Sequence, residues 1–100
     1  MAKGPAVTRV SRLPGLGTID DGTASYVLNL PRIEEQQSPY AFTGTAHEIW
    51  RRIDGTRTES QIVDQLVEAS GAEREVVARD TRTFLATLRG LGLIYDDAAG

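Results

Sequence analysis

Cysteine is absent from this sequence of 100 residues, and histidine and tryptophan each occur once. Without cysteine the chain has neither a disulfide framework nor a thiolate metal site. The single histidine, His47, excludes a metal site built mainly from histidines. No apolar run approaches the roughly 18 residues of a transmembrane helix, and no signal-peptide core follows Met1. We therefore expect a cytoplasmic protein with no metal, no other cofactor and no membrane partner.

Lysine is nearly absent as well, because Lys3 is the only lysine among 11 basic residues. The 14 acidic residues outnumber these and give a net charge of −3. This balance argues against a nucleic-acid partner, since proteins that bind polyanions usually carry a basic surface. A composition of 40% hydrophobic and 25% charged residues is typical of one small globular domain with a modest core.

The most informative stretch, residues 40–66, predicts a short strand and two helices joined by a tight turn. Apolar residues in its first half recur at i, i+3, i+4 and i+7, as in a helix with one buried face: Ala46, Ile49, Trp50 and Ile53. The second helix has a similar stripe: Ile62, Val63, Leu66 and Val67. The two helices form a helix-turn-helix corner, which does not by itself identify a ligand.

Capping residues predict where these helices begin and end. Thr43 and Thr45 are equally suitable N-caps for the first helix, and Asp54-Gly55 is expected to end it, because glycine adopts the left-handed conformation without strain. Thr58 followed three residues later by Gln61 predicts a capping box at the start of the second helix.

Two strands are predicted before the helices. Asp21-Gly22 is a turn signal, and residues 25–30 after it form the best strand by composition. The polar, proline-bounded residues 31–39 indicate an exposed loop. Tyr40–Thr43 then predicts a short strand that returns antiparallel to the first. We expect it at the sheet edge, where no charged side chain protects its backbone.

A third helix is predicted over residues 73–90, after Ser70-Gly71 has ended the second. Its apolar positions fall within about a 100° arc when each residue turns ~100°: Val77, Thr81, Phe84, Leu88 and Leu91. Leu85 and Asp80 lie on opposite flanks of that arc. Residues 93–95 form a final apolar segment that should pack under the core.

These elements predict an α+β fold, a winged helix-turn-helix with three helices and a small antiparallel sheet of about three strands. The domain should occupy residues 17–95. Residues 1–16 are expected to form a poorly ordered arm or a short edge strand around residues 7–10. Residues 96–100 are expected to be a tail.

The sequence offers no catalytic constellation. A nucleophile, a base and an orienting third group cannot be nominated together. His47 lies in the first turn of a helix, where a structural role is the usual one. Gly15-Leu16-Gly17 lacks the preceding strand and following helix of a phosphate-binding turn. We expect no catalytic residues and no enzymatic activity.

DNA binding is the main alternative raised by the helix-turn-helix corner. A recognition helix needs several Arg, Lys, Asn or Gln residues on its exposed face, together with phosphate contacts. The candidate arginines lie in the turn and the third helix: Arg51, Arg52, Arg57, Arg74, Arg79, Arg82 and Arg89. Because Glu73, Glu75 and Asp80 interleave with those of the third helix, an ordinary solvated face explains them better.

The order and spacing of several short segments resemble the PqqD-like family of small winged-helix domains called RiPP recognition elements. RiPPs are ribosomally made, post-translationally modified peptides. The segments are Tyr26-Val27-Leu28, Phe42-Thr43-Gly44-Thr45-Ala46, Ile49-Trp50, Ile53-Asp54-Gly55-Thr56-Arg57-Thr58, residues 62–66, Asp80-Thr81, Phe84-Leu85, Leu88 and Gly92-Leu93-Ile94. Two residues depart from the family pattern: Thr43 stands where Asn or Asp is common, and Thr81 where an aliphatic residue is preferred.

The resemblance implies that the protein binds the leader segment of a precursor peptide by β-strand addition. In this mode main-chain hydrogen bonds give affinity and side-chain pockets give sequence choice. The implied leader-binding residues lie on the edge strand and the third helix: Tyr40, Ala41, Phe42, Thr43, Asp80, Thr83, Phe84, Thr87 and Leu88. Phe84 and Leu88 have an equally good interpretation as core residues. Asp80, a carboxylate beside the apolar arc, is expected to need a polar partner.

Proteins of this family act beside a separate enzyme, so the implied partners are the precursor peptide and a RiPP-processing enzyme. Lasso-peptide pathways pair the domain with a leader peptidase and a macrocyclase, and radical-SAM pathways pair it with a modifying enzyme. The sequence does not separate these settings. A winged-helix DNA-binding regulator is the second hypothesis, and a structural subunit of a larger enzyme is the third.

Overall fold

The computed structural model describes residues 8–32, 34–36 and 38–98. Within them the chain forms β1 (Thr8–Arg12), β2 (Leu16–Asp20), β3 (Ala24–Asn29), β4 (Tyr40–Thr43), α1 (Gly44–Arg51), α2 (Glu59–Ser70), α3 (Arg74–Gly90) and β5 (Ile94–Ala98). A short 3-10 helix, Leu30–Arg32, follows β3. The predicted α+β class with three helices is confirmed.

The strands form two antiparallel sheets. β2, β3 and β4 are hydrogen-bonded in that order, and β1 pairs with β5. The three-stranded sheet contains both strands that the sequence predicts. The sheet of β1 and β5 joins opposite ends of the chain, and no local sequence pattern links its two strands.

β2 is a strand that the sequence analysis did not predict. The turn after it is the expected one, because the Asp21 carboxylate accepts hydrogen bonds from the amides of Thr23 and Ala24 at 2.9 and 2.8 Å. β2 itself contains Gly17 and has no alternation of buried and exposed residues. A strand of this kind lacks the period-two signal from which strands are recognised.

The N-terminal segment contributes a strand to the fold. Of the two forms expected for residues 1–16, a strand is present over Thr8–Arg12, while residues 1–7 lie outside the described residues. Val10 is 1% exposed. Its carbonyl accepts a 2.9 Å hydrogen bond from the amide of Gly55, so β1 is tied to the turn after α1 as well as to β5.

The segment expected to be a tail is also partly ordered in the sheet. β5 runs from Ile94 to Ala98, which makes Asp96 and Asp97 strand residues. These residues are held in the sheet because β5 pairs with β1 and a side chain of α3 contacts it. Arg89 donates two hydrogen bonds of 2.8 Å to the Asp96 carboxylate.

The core lies between one face of the three-stranded sheet, the helices and the β1–β5 sheet. Its buried apolar residues are Val10, Val27, Phe42, Ile49, Trp50, Ile53, Ile62, Val63, Leu66, Val77, Leu85, Leu88, Leu93 and Ile94. Trp50 also anchors β1, because the Arg12 guanidinium lies 4.3 Å from its ring centroid and donates a 2.7 Å hydrogen bond to its carbonyl. A cation–π contact of this kind contributes about 0.5–2 kcal/mol.

The buried face of α3 is wider than the apolar arc predicted from the sequence. Leu85, placed on the flank of the arc, is 0% exposed, because α2 packs beside α3 and covers that flank. Leu93 and Ile94 pack in the core as predicted, whereas Tyr95 is 42% exposed. Alternate residues of β5 face opposite sides of the strand, which turns Tyr95 outward.

The ends of α2 are those predicted. Thr58 and Gln61 form the reciprocal capping box, and Gly71 ends the helix in the left-handed conformation with φ of +71°. Thr43 occupies the N-cap position of α1, but its side chain makes no capping hydrogen bond. Within the described residues no helix is both long and apolar enough to cross a membrane.

The end of α1 differs from the prediction. The helix stops at Arg51 with Arg52 as its C-cap, so Asp54-Gly55 does not close it. Gly55 is still needed, because it has a φ of +85° and an added Cβ would lie 2.9 Å from the Ser11 hydroxyl. Its role is to let the turn approach β1.

Candidate functional site

β4 lies at the edge of the three-stranded sheet. Among the described residues it pairs only with β3, which confirms the edge position predicted for Tyr40–Thr43. Phe42 is buried and Tyr40 is half-buried, whereas Ala41 and Thr43 are exposed. The strand therefore presents an uncovered backbone edge while its aromatic side chains support it from the core.

Hydrogen bonds of the Gln36 side chain show which N–H and C=O groups of β3 point toward β4. Its amide nitrogen donates a 3.0 Å hydrogen bond to the Val27 carbonyl, and its oxygen accepts a 2.7 Å hydrogen bond from the Asn29 amide. Gln36 lies just before β4, and Val27 is paired in register with Tyr40. The backbone groups of Val27 and Asn29 therefore point toward the β4 side of β3.

The free backbone groups of β4 can then be assigned. In an antiparallel pair, the N–H and C=O groups of every second residue point toward the partner strand. Tyr40 lies opposite Val27 and Phe42 opposite Ser25, so the N–H and C=O groups of Tyr40 and Phe42 point toward β3. The N–H and C=O of Ala41 and the N–H of Thr43 point away from the sheet. These are the groups with which an added strand would form hydrogen bonds.

α3 runs beside β4 in the opposite direction. Contacts along the two elements establish this order: Tyr40 and Leu91 line one cavity, the ring centroids of Phe42 and Phe84 are 5.2 Å apart, and Thr45 and Asp80 line a second cavity. We call the surface between the free edge of β4 and the adjacent exposed side of α3 the channel. The Phe42 and Phe84 rings form its floor.

The aromatic floor is continuous and rests on the core. The rings of Tyr40 and Phe42 are stacked at 6.5 Å between centroids, and Phe42 lies 5.3 Å from Trp50. The Phe42–Phe84 contact is edge-to-face at 84°. Such pairs contribute about 0.5–1.5 kcal/mol beyond their buried area, so the floor is held in a fixed shape.

The residues that the sequence analysis assigned to α3 occupy different environments. Asp80, Thr83 and Thr87 are exposed, and Phe84, whose ring contacts that of Phe42, is partly buried. Leu88 is 0% exposed and belongs to the core, so of its two interpretations the core one describes the structure. Asp80 is solvent-exposed, and water therefore satisfies the carboxylate for which a partner was expected.

One exposed apolar residue on this side of α3 was not predicted. Val76 is 41% exposed, and it lies one turn before Asp80 on the same side of α3. The helical spacing from Asp80 contains this information. The predicted buried arc contains Val77 at this level of the helix, and Val76 lies outside that arc.

A cavity lies at each end of the channel. The one at the Thr45 end has a volume of about 430 Å³ and is bounded by α1, α2 and α3. The one at the Tyr40 end has a volume of about 190 Å³ and is lined mainly by polar residues: Asn29, Arg32, Glu35, Gln36, Tyr40 and Leu91. The channel therefore has an apolar end and a polar end.

The family model described as "Coenzyme PQQ synthesis protein D (PqqD)" matches residues 33–94. The chain belongs to the PqqD family. Among solved structures, "TbiB1 in Complex with the TbiA(beta) Leader Peptide" is similar to this PqqD-family chain, with a TM-score of 0.73 and 19% sequence identity. The likeness covers 84% of this chain and 93% of that chain, and it establishes a shared fold. No curated protein matches the chain.

The single histidine of this PqqD-family chain has a structural role where α1 meets the β2–β3 hairpin. His47 is 2% exposed, and its Nε2 lies 3.1 and 3.2 Å from the two carboxylate oxygens of Asp20. The amide of Gly22 is the main cause that lowers the pKa of Asp20, and the His47 contact adds to it. The contact joins the β2–β3 hairpin to α1.

The arginines that raised the DNA-binding hypothesis are largely engaged with carboxylates. The pairs are Arg51 with Asp20 and Glu48, Arg52 with Glu48, Arg57 with Asp54, Arg74 with Asp64, and Arg89 with Asp96. The Arg52 hydrogen bond is the largest cause that lowers the pKa of Glu48. Guanidinium groups neutralised in this way do not form the basic surface that phosphate binding requires.

Proposed function

We propose that this protein binds the leader segment of a ribosomally made precursor peptide as an additional antiparallel strand on β4. The observation that carries the proposal is the free edge of β4, which lies open beside the exposed side of α3. Membership of the PqqD family and the similarity to TbiB1, which was solved with the TbiA(beta) leader peptide, support the same mode.

The proposed antiparallel pairing implies a direction for the bound peptide. A strand antiparallel to β4 runs parallel to α3, because those two elements have opposite directions. The N-terminal part of the leader would therefore lie at the Thr45 end of the channel. Its C-terminal part would leave near Tyr40 and Leu91, where the rest of the precursor continues.

Main-chain pairing alone does not supply a useful affinity. Each net hydrogen bond contributes about 0.5–1.5 kcal/mol, so the three outward groups of Ala41 and Thr43 together supply roughly 1.5–4.5 kcal/mol. A dissociation constant of 1 μM requires about 8 kcal/mol. Ordering a flexible leader raises the requirement further. Side-chain contacts along α3, with Asp80, Thr83 and Thr87 exposed there, must supply the remainder.

The role that follows is delivery without catalysis. The protein holds the leader and presents the remaining peptide to a processing enzyme, and the tether raises the local substrate concentration. A leader peptidase, a macrocyclase or a radical-SAM enzyme each fit this role as the partner. We place the activity in the cytoplasm, where precursor peptides are synthesised, and assign it no cofactor, metal or nucleic acid.

The test exploits the two free edges of one sheet. Ala41→Pro removes an outward amide from β4, and Thr18→Pro removes an outward amide from β2 at the opposite edge, since Thr18 lies opposite Val27. The probe is the leader region of the precursor peptide encoded nearest to this gene, labelled at its C-terminus for fluorescence anisotropy. We expect Ala41→Pro to raise Kd by about tenfold or more and Thr18→Pro to leave it unchanged.

Circular dichroism on both variants controls for loss of fold. Equal affinities of wild type and Ala41→Pro, with the fold retained, would contradict strand addition at β4. A loss of leader affinity in Thr18→Pro alone would indicate that the leader binds at the β2 edge instead. Binding of duplex DNA with a steep salt dependence, and no binding of leader, would favour the regulator hypothesis instead.

A further inference from the structure

The Gln36 side chain lies where the pairing of β3 with β4 would otherwise continue. Val27 is paired in register with Tyr40. Two residues further along, the same register would bring Asn29 opposite Ser38, as the next pair able to exchange main-chain hydrogen bonds. Instead the Asn29 amide donates to Oε1 of Gln36 at 2.7 Å, and Nε2 of Gln36 donates to the Ser38 carbonyl at 3.1 Å. The side-chain amide is therefore inserted between two backbone groups that would otherwise pair.

Both hydrogens of this side-chain amide are used within the protein. The second one is donated to the Val27 carbonyl at 3.0 Å, and Val27 is the residue opposite Tyr40, where β4 begins. Only one lone pair of the Gln36 Oε1 remains free. Because Gln36 is also half-buried, it acts on a ligand through β4 and not by donating hydrogen bonds to that ligand.

The strand that Gln36 supports is short. β4 has four residues, and only Tyr40 and Phe42 direct their N–H and C=O groups toward β3. Phe42 is held by ring contacts with Trp50 and Phe84. Tyr40 is the last paired residue of the ladder, and the ends of paired segments open most easily. The hydrogen bonds of Gln36 close this end.

A bound leader would depend on the position of very few backbone groups. The N–H and C=O of Ala41 and the N–H of Thr43 point away from the sheet, and Pro39 has no N–H to add to them. Ala41 follows Tyr40 directly, so opening of the Tyr40 pair would also displace the Ala41 groups. The binding-competent state would then be less populated, and the apparent Kd would rise in inverse proportion to its population.

We propose that Gln36 is a positioning residue for leader binding. Its side chain ends the β3–β4 pairing at a fixed point and holds the free edge of β4 in the orientation that an added strand requires. The proposal rests on the leader-binding function and adds to it a residue that lies outside both β4 and α3.

Removing the side-chain amide tests the proposal. Gln36→Ala deletes its three hydrogen bonds. Gln61→Ala is the matched control, because the Gln61 side chain also accepts a hydrogen bond from a backbone amide, that of Thr58, but does so at the start of α2, outside the channel. Kd for the labelled leader is measured well below the Tm of each variant, so that global unfolding does not contribute. Amide hydrogen exchange, followed by NMR without leader, reports on the β3–β4 pairing. We expect Gln36→Ala to raise Kd by about tenfold and to accelerate exchange of the Asn29 and Tyr40 amides, and Gln61→Ala to change neither.

Gln36→Glu adds a pH profile that a general loss of stability would not produce. The ionised carboxylate still accepts a hydrogen bond from the Asn29 amide but has no hydrogen to donate to the carbonyls on its other side, whereas the protonated form can donate one. The ratio of its Kd to that of wild type should be large at pH 7 and fall toward one as the introduced carboxyl is protonated. Arg32 and Glu35 line the same cavity in both proteins, so the ratio removes their contribution. Gln61→Glu should give a ratio near one throughout.

The outcomes separate this proposal from the function on which it rests. If Ala41→Pro weakens binding but Gln36→Ala binds the leader like Gln61→Ala, the positioning role is wrong and strand addition stands. If Gln36→Ala weakens binding without faster exchange at Asn29 and Tyr40, the residue contacts the leader directly and the proposal fails. A large Kd ratio for Gln36→Glu that does not change with pH would contradict it as well. If the leader does not bind wild type at all, the proposed function fails and the positioning role with it.

Discussion

Replacing Thr81 with valine should stabilise the protein. Thr81 is 0% exposed in the middle of α3, and its hydroxyl has no hydrogen-bond partner among the described residues. It is also the position at which PqqD-like proteins prefer an aliphatic residue. Valine has nearly the same shape and the same branching at Cβ, so the substitution removes a buried polar group with little change in packing or helix preference.

The size of the effect follows from the desolvation of that hydroxyl. Leaving a buried polar group unsatisfied costs about 1–3 kcal/mol, and Thr81→Val should recover most of this. In a domain of roughly 60–100 residues, each kcal/mol shifts Tm by about 4–8 °C. We therefore expect Tm to rise by at least about 4 °C in differential scanning calorimetry, with a higher urea midpoint and an unchanged slope.

The exposed Thr83 provides the matched control, because Thr83→Val makes the same chemical change on the surface of the same helix. It should alter stability by less than about 0.5 kcal/mol. An unchanged or lower Tm for Thr81→Val would refute the reasoning. It would mean that the hydroxyl is satisfied, for example by the carbonyl of Val77 one turn earlier.

Two further perturbations test contacts that stabilise the fold. Asp20→Asn should lower Tm near neutral pH and have little effect in acid. The Gly22 amide and His47 lower the pKa of Asp20 in the folded protein. The ionised Asp20 therefore stabilises the fold above its unfolded pKa of roughly 3.9, and this contribution is lost as the pH falls through its folded pKa. A constant Tm difference between the variant and wild type from pH 7 to acid would contradict this. Gly55→Ala should destabilise by more than about 1 kcal/mol, because φ is +85°, whereas Gly90→Ala should be neutral or stabilising by urea denaturation; equal effects would exclude strain at Gly55.

Features that depend on residues close together in the sequence, such as helix caps, were predicted correctly. The capping box at Thr58 and the left-handed glycine at Gly71 involve neighbouring residues only, so both ends of α2 were predicted. The edge strand Tyr40–Thr43 was recognised from its shortness and its position before the helices. β1, β2 and β5 were missed or shortened, because their strand character comes from pairing with distant residues.

The candidate site could be predicted in part for the same reason. Helical spacing places Asp80, Thr83 and Thr87 on one side of α3, and all three are exposed in the structure. The same spacing did not decide whether Leu88 lines the surface or the core, since that depends on how much of α3 is covered by its neighbours. The cavity was not predictable, because it forms where the ends of three helices meet.

β4 and β3, which pair in the sheet, lie on opposite sides of the boundary of the family match. The family match covers residues 33–94, which include β4 and all three helices, but β3 lies outside it. The edge proposed to bind the leader therefore lies within the matched residues, while the strand that holds it in the sheet comes from the preceding part of the chain.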